Sequence, residues 1–409
     1  MDPRDFMRRL WVLMLTVFVD MIGFLIVLPL LPFYAEDLGA SPFLVGALVS
    51  AFALAQLAAA PLWGRLSDRY GRRPAILGGL LISAVAYVLF EAAGSVVVLF
   101  LSRLVQGAAA GTVGVVQAYV SDVVPAKDRA KALGWLTAAA SAGVMIGPAI
   151  GSLAAAVGTI GPGYLAAGLC VLNLLFGSLW LPETVAKPKP GSRRPVARGT
   201  ARRQFMSILR HPSGRVAAPV WIYAMGMMAF MAMNGVLALY LERRFGVTVK
   251  TIGWFFVYVG AVSVVMRTIV LGPMVRRFGE VRTLRMGIVC IGLGLASLPL
   301  ARNFLELALT VLMIPVGTAL LFPSTTSIVS HRAEPNQTGL VLGVQQAYGG
   351  IARMLGPLWS GAAFQHLGIR TPFWLAALLM AAAWVFSGTV HEEGTTEDLS
   401  GEVETTILP

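Results

Sequence analysis

Apolar residues run in long stretches along this chain, and polar residues gather in the joints between them. A helix rises 1.5 Å per residue, so about 20 apolar residues cross a bilayer. The runs predict twelve such helices, at 9–33, 43–63, 74–94, 96–121, 131–157, 161–181, 215–241, 251–275, 283–301, 304–330, 337–365 and 371–390. One hydrophilic stretch, Pro182 to Gly214, is rich in Pro, Arg, Lys and Gly and has no apolar period. It predicts a linker carrying a short surface helix near Phe205 to Leu209. After Val390 the chain turns acidic, with Glu392, Glu393, Glu397 and Asp398, and a disordered tail is expected. The predicted fold class is an all-α membrane protein with two six-helix halves, 1–181 and 215–390, a basic linker at 182–214 and an acidic tail at 391–409.

Composition supports this pattern. Hydrophobic residues make up 57% of the chain and charged residues 13%, against about a quarter charged in soluble domains. The net charge of +12 raises the question of nucleic acid, but no basic–aromatic recognition motif accompanies it, and no nucleic-acid partner is expected. Topology accounts for the charge instead. With both termini inside, the cytoplasmic segments hold 24 of the 32 Lys and Arg residues, the opposite side holds 5, and 3 fall inside spans. The positive-inside rule then predicts a multi-pass inner-membrane protein with cytoplasmic termini. The basic start, Met1 to Arg9, leads into a run too long for the apolar core of a signal peptide and reads as a retained first span. Cys170 and Cys290 lie inside apolar runs as small hydrophobes, so neither a disulfide nor a metal site is expected.

One joint stands apart. Gly64-Arg65-Leu66-Ser67-Asp68-Arg69-Tyr70-Gly71-Arg72-Arg73-Pro74 places four arginines, one aspartate and two glycines between the second and third runs. Gly64 and Gly71 permit a tight turn and close helix approach, and Asp68, one acid among bases, calls for a specific partner. The halves echo each other: Gly64 and Gly71 recur as Gly272 and Gly279, offset by 208, and Gly147-Pro148 recurs as Gly356-Pro357, offset by 209. The second joint is degenerate, with Arg276 in the place of Asp68 and Glu280 in that of Arg72. Two parallel six-span repeats are the plan of transporters whose halves rock about a midplane site.

Ionisable groups deep in a span are costly and therefore candidates for function. Asp20 lies about eleven residues into the first run, near the midplane, with no local partner. A dry site favours the protonated carboxyl, so such a group can load and release a proton. A structural pair with an arginine is the other reading, and Arg103 in the fourth run is the nearest candidate. Arg103 stays charged and would tune the acid rather than carry the proton. In the fifth run Gly143, Gly147 and Gly151 fall at i, i+4 and i+8, a stripe for close helix contact, with Pro148 adding a kink. Arg267 and Arg353 stand inside spans of the second half, and Gln346, Gly350, Arg353 and Pro357 share one helical face. Phe24, Gln56, Gln117, Phe230, Asn234, Arg267, Phe322, Gln346, Tyr348 and Arg353 are the candidate cavity residues.

The joint resembles the G-x-L-S-D-R-x-G-R-R signature between the second and third helices of the major facilitator superfamily. Arg103 in Arg-Leu-Val-Gln106-Gly107 resembles the family's R-x-x-Q-G segment. Gly143 to Gly151 resembles the glycine motif of its antiporters, with Ser152 in place of the last glycine. The run Ala118 to Gly134 and the Asp20 segment are most similar to the tetracycline and multidrug branch of drug:proton antiporters. The resemblance implies proton-coupled export of small amphipathic organic compounds by alternating access, a lipid-embedded monomer, and no cofactor beyond the coupling proton. It also implies a cytoplasmic gate: Asp122 pairs with a joint arginine, here Arg72, while Asp68 sits against the N-terminus of the eleventh helix near Thr338 to Leu342. Gly64, Arg69, Gly71 and Arg73 complete that gate. Two departures matter. No second midplane carboxylate is found, and Arg267 and Arg353 stand where neutral residues suit a cationic drug better. A proton-linked transporter of an organic anion or metabolite and a lipid exporter share the same features, whereas the intact gate and glycine motifs argue against a transport-dead sensor. No nucleophile–base pair, metal cluster or phosphate loop suggests an enzyme.

Overall fold

The structure, a computed structural model, describes residues 3–124, 129–157, 161–183, 198–334 and 337–391. The linker stretch 184–197 and Lys127 with its neighbours, used in the topology argument, and the acidic tail from 392 onward lie outside the described residues.

The first half contains α1 (Pro3–Val27), α2 (Leu31–Asp37), α3 (Pro42–Tyr70), α4 (Arg72–Glu91), α5 (Val96–Ala110), α6 (Val113–Val123), α7 (Arg129–Val157) and α8 (Pro162–Trp180). Next comes α9 (Arg198–Arg210), which covers the surface helix expected near Phe205. The second half contains α10 (Ala217–Phe245), α11 (Ile252–Val265), a π-helical turn (Met266–Val270), α12 (Leu271–Ser297), α13 (Phe304–Arg332), α14 (Thr338–His366) and α15 (Thr371–Phe386).

Two predicted spans are broken. The first divides into α1 and α2 around Leu28, Pro29 and Leu30, where proline removes a backbone donor and Pro32 opens the new helix. The fourth divides into α5 and α6 at Gly111 and Thr112. Among the described residues, ten helical segments are long and apolar enough to cross a membrane. One of these, Ile252–Leu300, is 49 residues long and folds back at Gly279, so it holds two spans. Helix α14, at 29 residues also long enough to cross, is made more polar by Gln345, Gln346 and Arg353. Counting both gives the expected twelve.

The joint at Gly64 to Pro74 is not a loop. Helix α3 continues through Tyr70 and α4 begins at Arg72, so the turn is Gly71 alone, at φ 112°. Its repeat mate Gly279 is the one non-helical residue in α12, at φ 80°. Both positions need backbone that a residue with a Cβ rarely adopts. Gly64, by contrast, is helical, and a Cβ added there would meet nothing within 4 Å. The close approach expected at Gly64 is therefore absent.

Within the first half, α1 packs on α7 and α8, α3 on α5, and α4 on α8. The α7 glycine stripe lies directly on α1. A Cβ on Gly143 would fall 2.6 Å from the Phe18 carbonyl oxygen, on Gly147 2.7 Å from Leu25 Cβ, and on Gly151 2.5 Å from the Ile26 carbonyl oxygen. Within the second half, α10 packs on α14, α13 and α15, and α12 packs on α13. Leu172, Leu179, Trp254 and Val385 lie exposed on the periphery, the dress of a surface solvated by lipid.

The halves meet through α3 with α14 and α7 with α11. These contacts concentrate at the end of the bundle away from the linker, here called the distal end. There Gly46 packs on Pro357, Gly361 on Pro42, and the Phe43 amide donates to Gln365 Oε1 at 3.2 Å. The Gly253 amide donates to Ser152 Oγ at 2.8 Å, and Arg243 pairs with Glu36 at 2.6 Å. Gly350 still reaches Leu57, but further toward the linker end Gly343 has nothing within 4 Å of an added Cβ.

Candidate functional site

Between the halves lies a cavity of about 390 Å³, the size range of small-molecule sites. Its walls come from α1, α3, α4, α5 and α6, with Met231 of α10 and Gln346 and Arg353 of α14 facing them. Asp20 lines it, with Thr16, Val17, Met21 and Phe24 on the same face of α1 and Leu28 just beyond its end. The glycine stripe seats α1 against α7 and so sets that face. Phe24 stacks obliquely on Phe52, ring centroids 4.9 Å apart, to form an aromatic wall. Asp20 is the one acidic residue among those lining the cavity.

Helix α5 lies tight on α3 because Gly107 packs on the Phe52 carbonyl. That contact brings Arg103 and Gln106 to the cavity. Arg103 is 1% exposed, and its Nε, Nη1 and Nη2 have no hydrogen-bond partner among the described residues. Its guanidinium rests 5.2 Å from the centroid of Phe90, a cation–π contact that offsets part of the desolvation cost. Gln106, also buried, lies beside Tyr87, and its side chain makes no hydrogen bond of good geometry among the described residues. Asp20 and Arg103 share the cavity without forming an ion pair. Gln56 Nε2 donates to the Ala110 carbonyl at 3.4 Å, a group freed where α5 gives way to α6.

The cavity therefore gathers Asp20, Phe24, Gln56, Arg103, Gln346 and Arg353. Other candidates fall elsewhere. Tyr348 is buried, donates its hydroxyl to the Phe205 carbonyl at 3.1 Å, and packs on Phe205 and Trp221. It anchors α9, because two residues along a helix carry it about 200° round from Gln346. Asn234 bonds its own helix at the Phe230 carbonyl, and Phe230 packs on Phe322 beside the cavity, where Met231 takes the lining position. Gln117 is exposed and outside the lining. Arg267 sits exposed in the π-helical turn, also outside it.

At the linker end a second cluster forms around Arg72, 4% exposed. Its Nε donates to Asp122 Oδ2 at 3.0 Å, and its Nη1 to Asp68 Oδ1 at 2.8 Å and Ser67 Oγ at 2.6 Å. Glu183, absent from the sequence reading, accepts the backbone amides of Arg72 and Arg73 at 3.0 and 3.2 Å and so caps α4. Arg73 bonds the Ser178 carbonyl, whereas Arg69 is exposed and lies over Tyr70. Asp68 is thus held against Arg72, one turn along the joint. The second half holds a counterpart with acid and base exchanged: Glu280, repeat mate of Arg72, lies 3.4 Å from His331 Nδ1 and accepts from Ser327 Oγ. His331 stands 209 residues after Asp122.

Comparison with known proteins fits this geometry. A model of the Major Facilitator Superfamily matches residues 13–357 and 220–406. Multidrug resistance protein 2 of Bacillus subtilis is 29% identical over 374 residues, covering 90% of this chain and 92% of that protein. The class C tetracycline resistance protein of Escherichia coli is 29% identical over 359 residues, covering 86% and 88%. Among solved structures, a bacterial homolog of the human lysosomal transporter Spinster, inward-facing and unoccupied, aligns with a TM-score of 0.77 at 15% identity. It covers 97% of this chain and 100% of that one, a likeness in fold.

Proposed function

This chain belongs to the Major Facilitator Superfamily, and on that premise we propose that it exports small amphipathic organic compounds across the inner membrane in exchange for protons. The observation that carries the reading is the cavity itself. It joins aromatic and methionine walls, suited to varied apolar bodies, to a single carboxylate at Asp20. The relatives named above are multidrug and tetracycline resistance proteins.

In this reading the halves rock about the cavity. Contacts between them at the distal end close that side, so the cavity serves the linker end, which the Lys and Arg distribution assigns to the cytoplasm. A cationic or hydrogen-bond-donating substrate group and a proton compete for Asp20, which makes their movements exchange rather than travel together. Arg103, on the same wall, is available to hold the carboxylate once its proton has left. Opening to the outside requires parting Gly46 from Pro357, Ser152 from Gly253 and Glu36 from Arg243. It also requires docking the linker ends, where the Arg72 cluster presents Asp68 as a latch. One copy of the chain is sufficient for this cycle.

The test is transport by purified protein in liposomes containing a pH-sensitive dye. A gradient of an amphipathic amine drives proton movement in the opposite direction through the wild type, and Asp20→Asn reduces that movement at least about a hundredfold, the range for loss of a positioned proton-transfer group. Equal proton movement in the two proteins rules out Asp20 as the coupling site. Proton movement in the same direction as substrate excludes exchange.

A further inference from the structure

The reading above assigns Asp20 to the proton and to a cationic or donor group of the substrate. It leaves Arg353 unexplained. Arg353 projects from α14 into the same cavity, from the half opposite Asp20 and Arg103. It lies between two points where α14 touches α3, Gly350 on Leu57 and Pro357 on Gly46, and so is fixed at the junction of the halves. It is half-buried, and no hydrogen bond or ion pair to it exists among the described residues. Its own helix cannot supply a partner, because the positions one turn away on either side are Gly349, Gly350, Gly356 and Pro357. None of these has a side-chain acceptor. Asp20 is the one acid lining the cavity, and it forms no ion pair with either arginine.

A guanidinium held in a largely apolar cavity is costly unless an anion meets it. Its flat donor fork matches a carboxylate or sulfonate in two-point geometry. Arg103 is the less suitable contact for such a group. It is 1% exposed, packed on Phe90, and shares Asp20's wall. The cavity is thus polarised, with its carboxylate on the first half and its accessible unpaired cation on the second.

We propose that Arg353 is a specificity subsite for an acidic group, so that the preferred substrates are amphoteric: an apolar body carrying a cationic or donor group for Asp20 and a carboxylate or sulfonate for Arg353. This assignment rests on the cavity being the transport site. It separates two tasks, exchange with the proton at Asp20 and selection of the acidic group at Arg353. A substrate bridging the two walls also contacts both halves at once, which links occupancy to the rocking motion.

The experiment uses the full chain in lipid nanodiscs and three fluorescent probes built on one dansyl-bearing chain. The first has an amine and a carboxylate at opposite ends, the second is its methyl ester, and the third has the amine acetylated. Wild type should bind the amphoteric probe at least about tenfold more tightly than the ester, the worth of one charge-assisted hydrogen-bonded contact. Arg353→Gln should bring the amphoteric probe to the ester's affinity and leave ester binding unchanged. Arg353→Lys, which keeps the charge and loses the fork, should restore part of the preference and carries the test if the Gln variant fails to fold. Asp20→Asn should do the reverse, keeping the preference for the carboxylate and losing that for the free amine. Equal affinity of wild type for the ester and the amphoteric probe overturns the subsite, as does a preference that survives Arg353→Gln. In liposomes, proton-coupled export of the ester with no carboxylate preference would leave the transport reading standing and overturn only this assignment. Absence of saturable binding by all three probes would overturn both.

Discussion

Arg72 shows how much one side chain can organise. It is buried at the linker end, yet its charge is met by Asp122 and Asp68, its Nη1 by Ser67, and its backbone amide by Glu183. The pairing of Arg72 with Asp122 was legible only through the joint's resemblance to the family signature, which implies it. Glu183 was not legible. A lone acid after the sixth span says nothing about which helix end it will meet until α4 and α8 are packed together. Glu183→Ala should weaken the first turn of α4 by about 1–2 kcal/mol, the usual worth of a lost cap. The check is hydrogen exchange at the Arg72 and Arg73 amides, which should speed up while amides in the middle of α4 keep their rates. Unchanged exchange at both would show that the cap does not hold the turn. Asp20 was legible for the opposite reason, since a charge in an apolar run needs no tertiary knowledge to stand out.

At the scale of elements, glycine spacing announced a contact stripe on α7 but not its partner. The structure supplies α1, the helix that carries Asp20, with Gly143, Gly147 and Gly151 on Phe18, Leu25 and Ile26. Gly147→Val should force α1 and α7 apart and destabilise the protein by about 1–3 kcal/mol, the range for overpacking. It should also weaken binding of an amphipathic amine, because the Asp20 face moves with α1. Thermal melting and a binding titration on the same sample check both. A variant with the wild-type melting temperature and affinity would mean that the stripe does not position α1. Helix continuity was less legible. The joints at Gly64 and Gly272 read as basic loops, yet both are helix broken only at Gly71 and Gly279, because charged side chains at a membrane surface do not prevent helix formation. Tyr348 was misplaced for a geometric reason, since polar and aromatic residues near Arg353 in sequence need not share its helical face.

At the scale of the whole molecule, the two-half plan was visible in repeat offsets of 208 and 209, and the paired positive-φ glycines show the same repeat in the backbone. The repeat is not a copy in its charges. Arg72 with Asp122 becomes Glu280 with His331, so the acidic and basic side chains exchange places between the halves at the linker end. What the sequence could not convey is which end of the bundle the halves close. That depends on contacts such as Gly46 with Pro357 and Glu36 with Arg243, between residues more than 200 positions apart.

The central claim is that substrate and proton compete for one carboxylate in a cavity shared by both halves. Proton release on binding tests it most directly. Purified protein in weakly buffered solution, near the pH where coupling is half-maximal, is titrated with an amphipathic amine while a pH dye records protons leaving the protein. The account predicts release of up to about one proton per bound molecule by wild type and none by Asp20→Asn, because linkage makes the exchange reciprocal. Binding by wild type without release across the pH range, or the same release from both proteins, would contradict it.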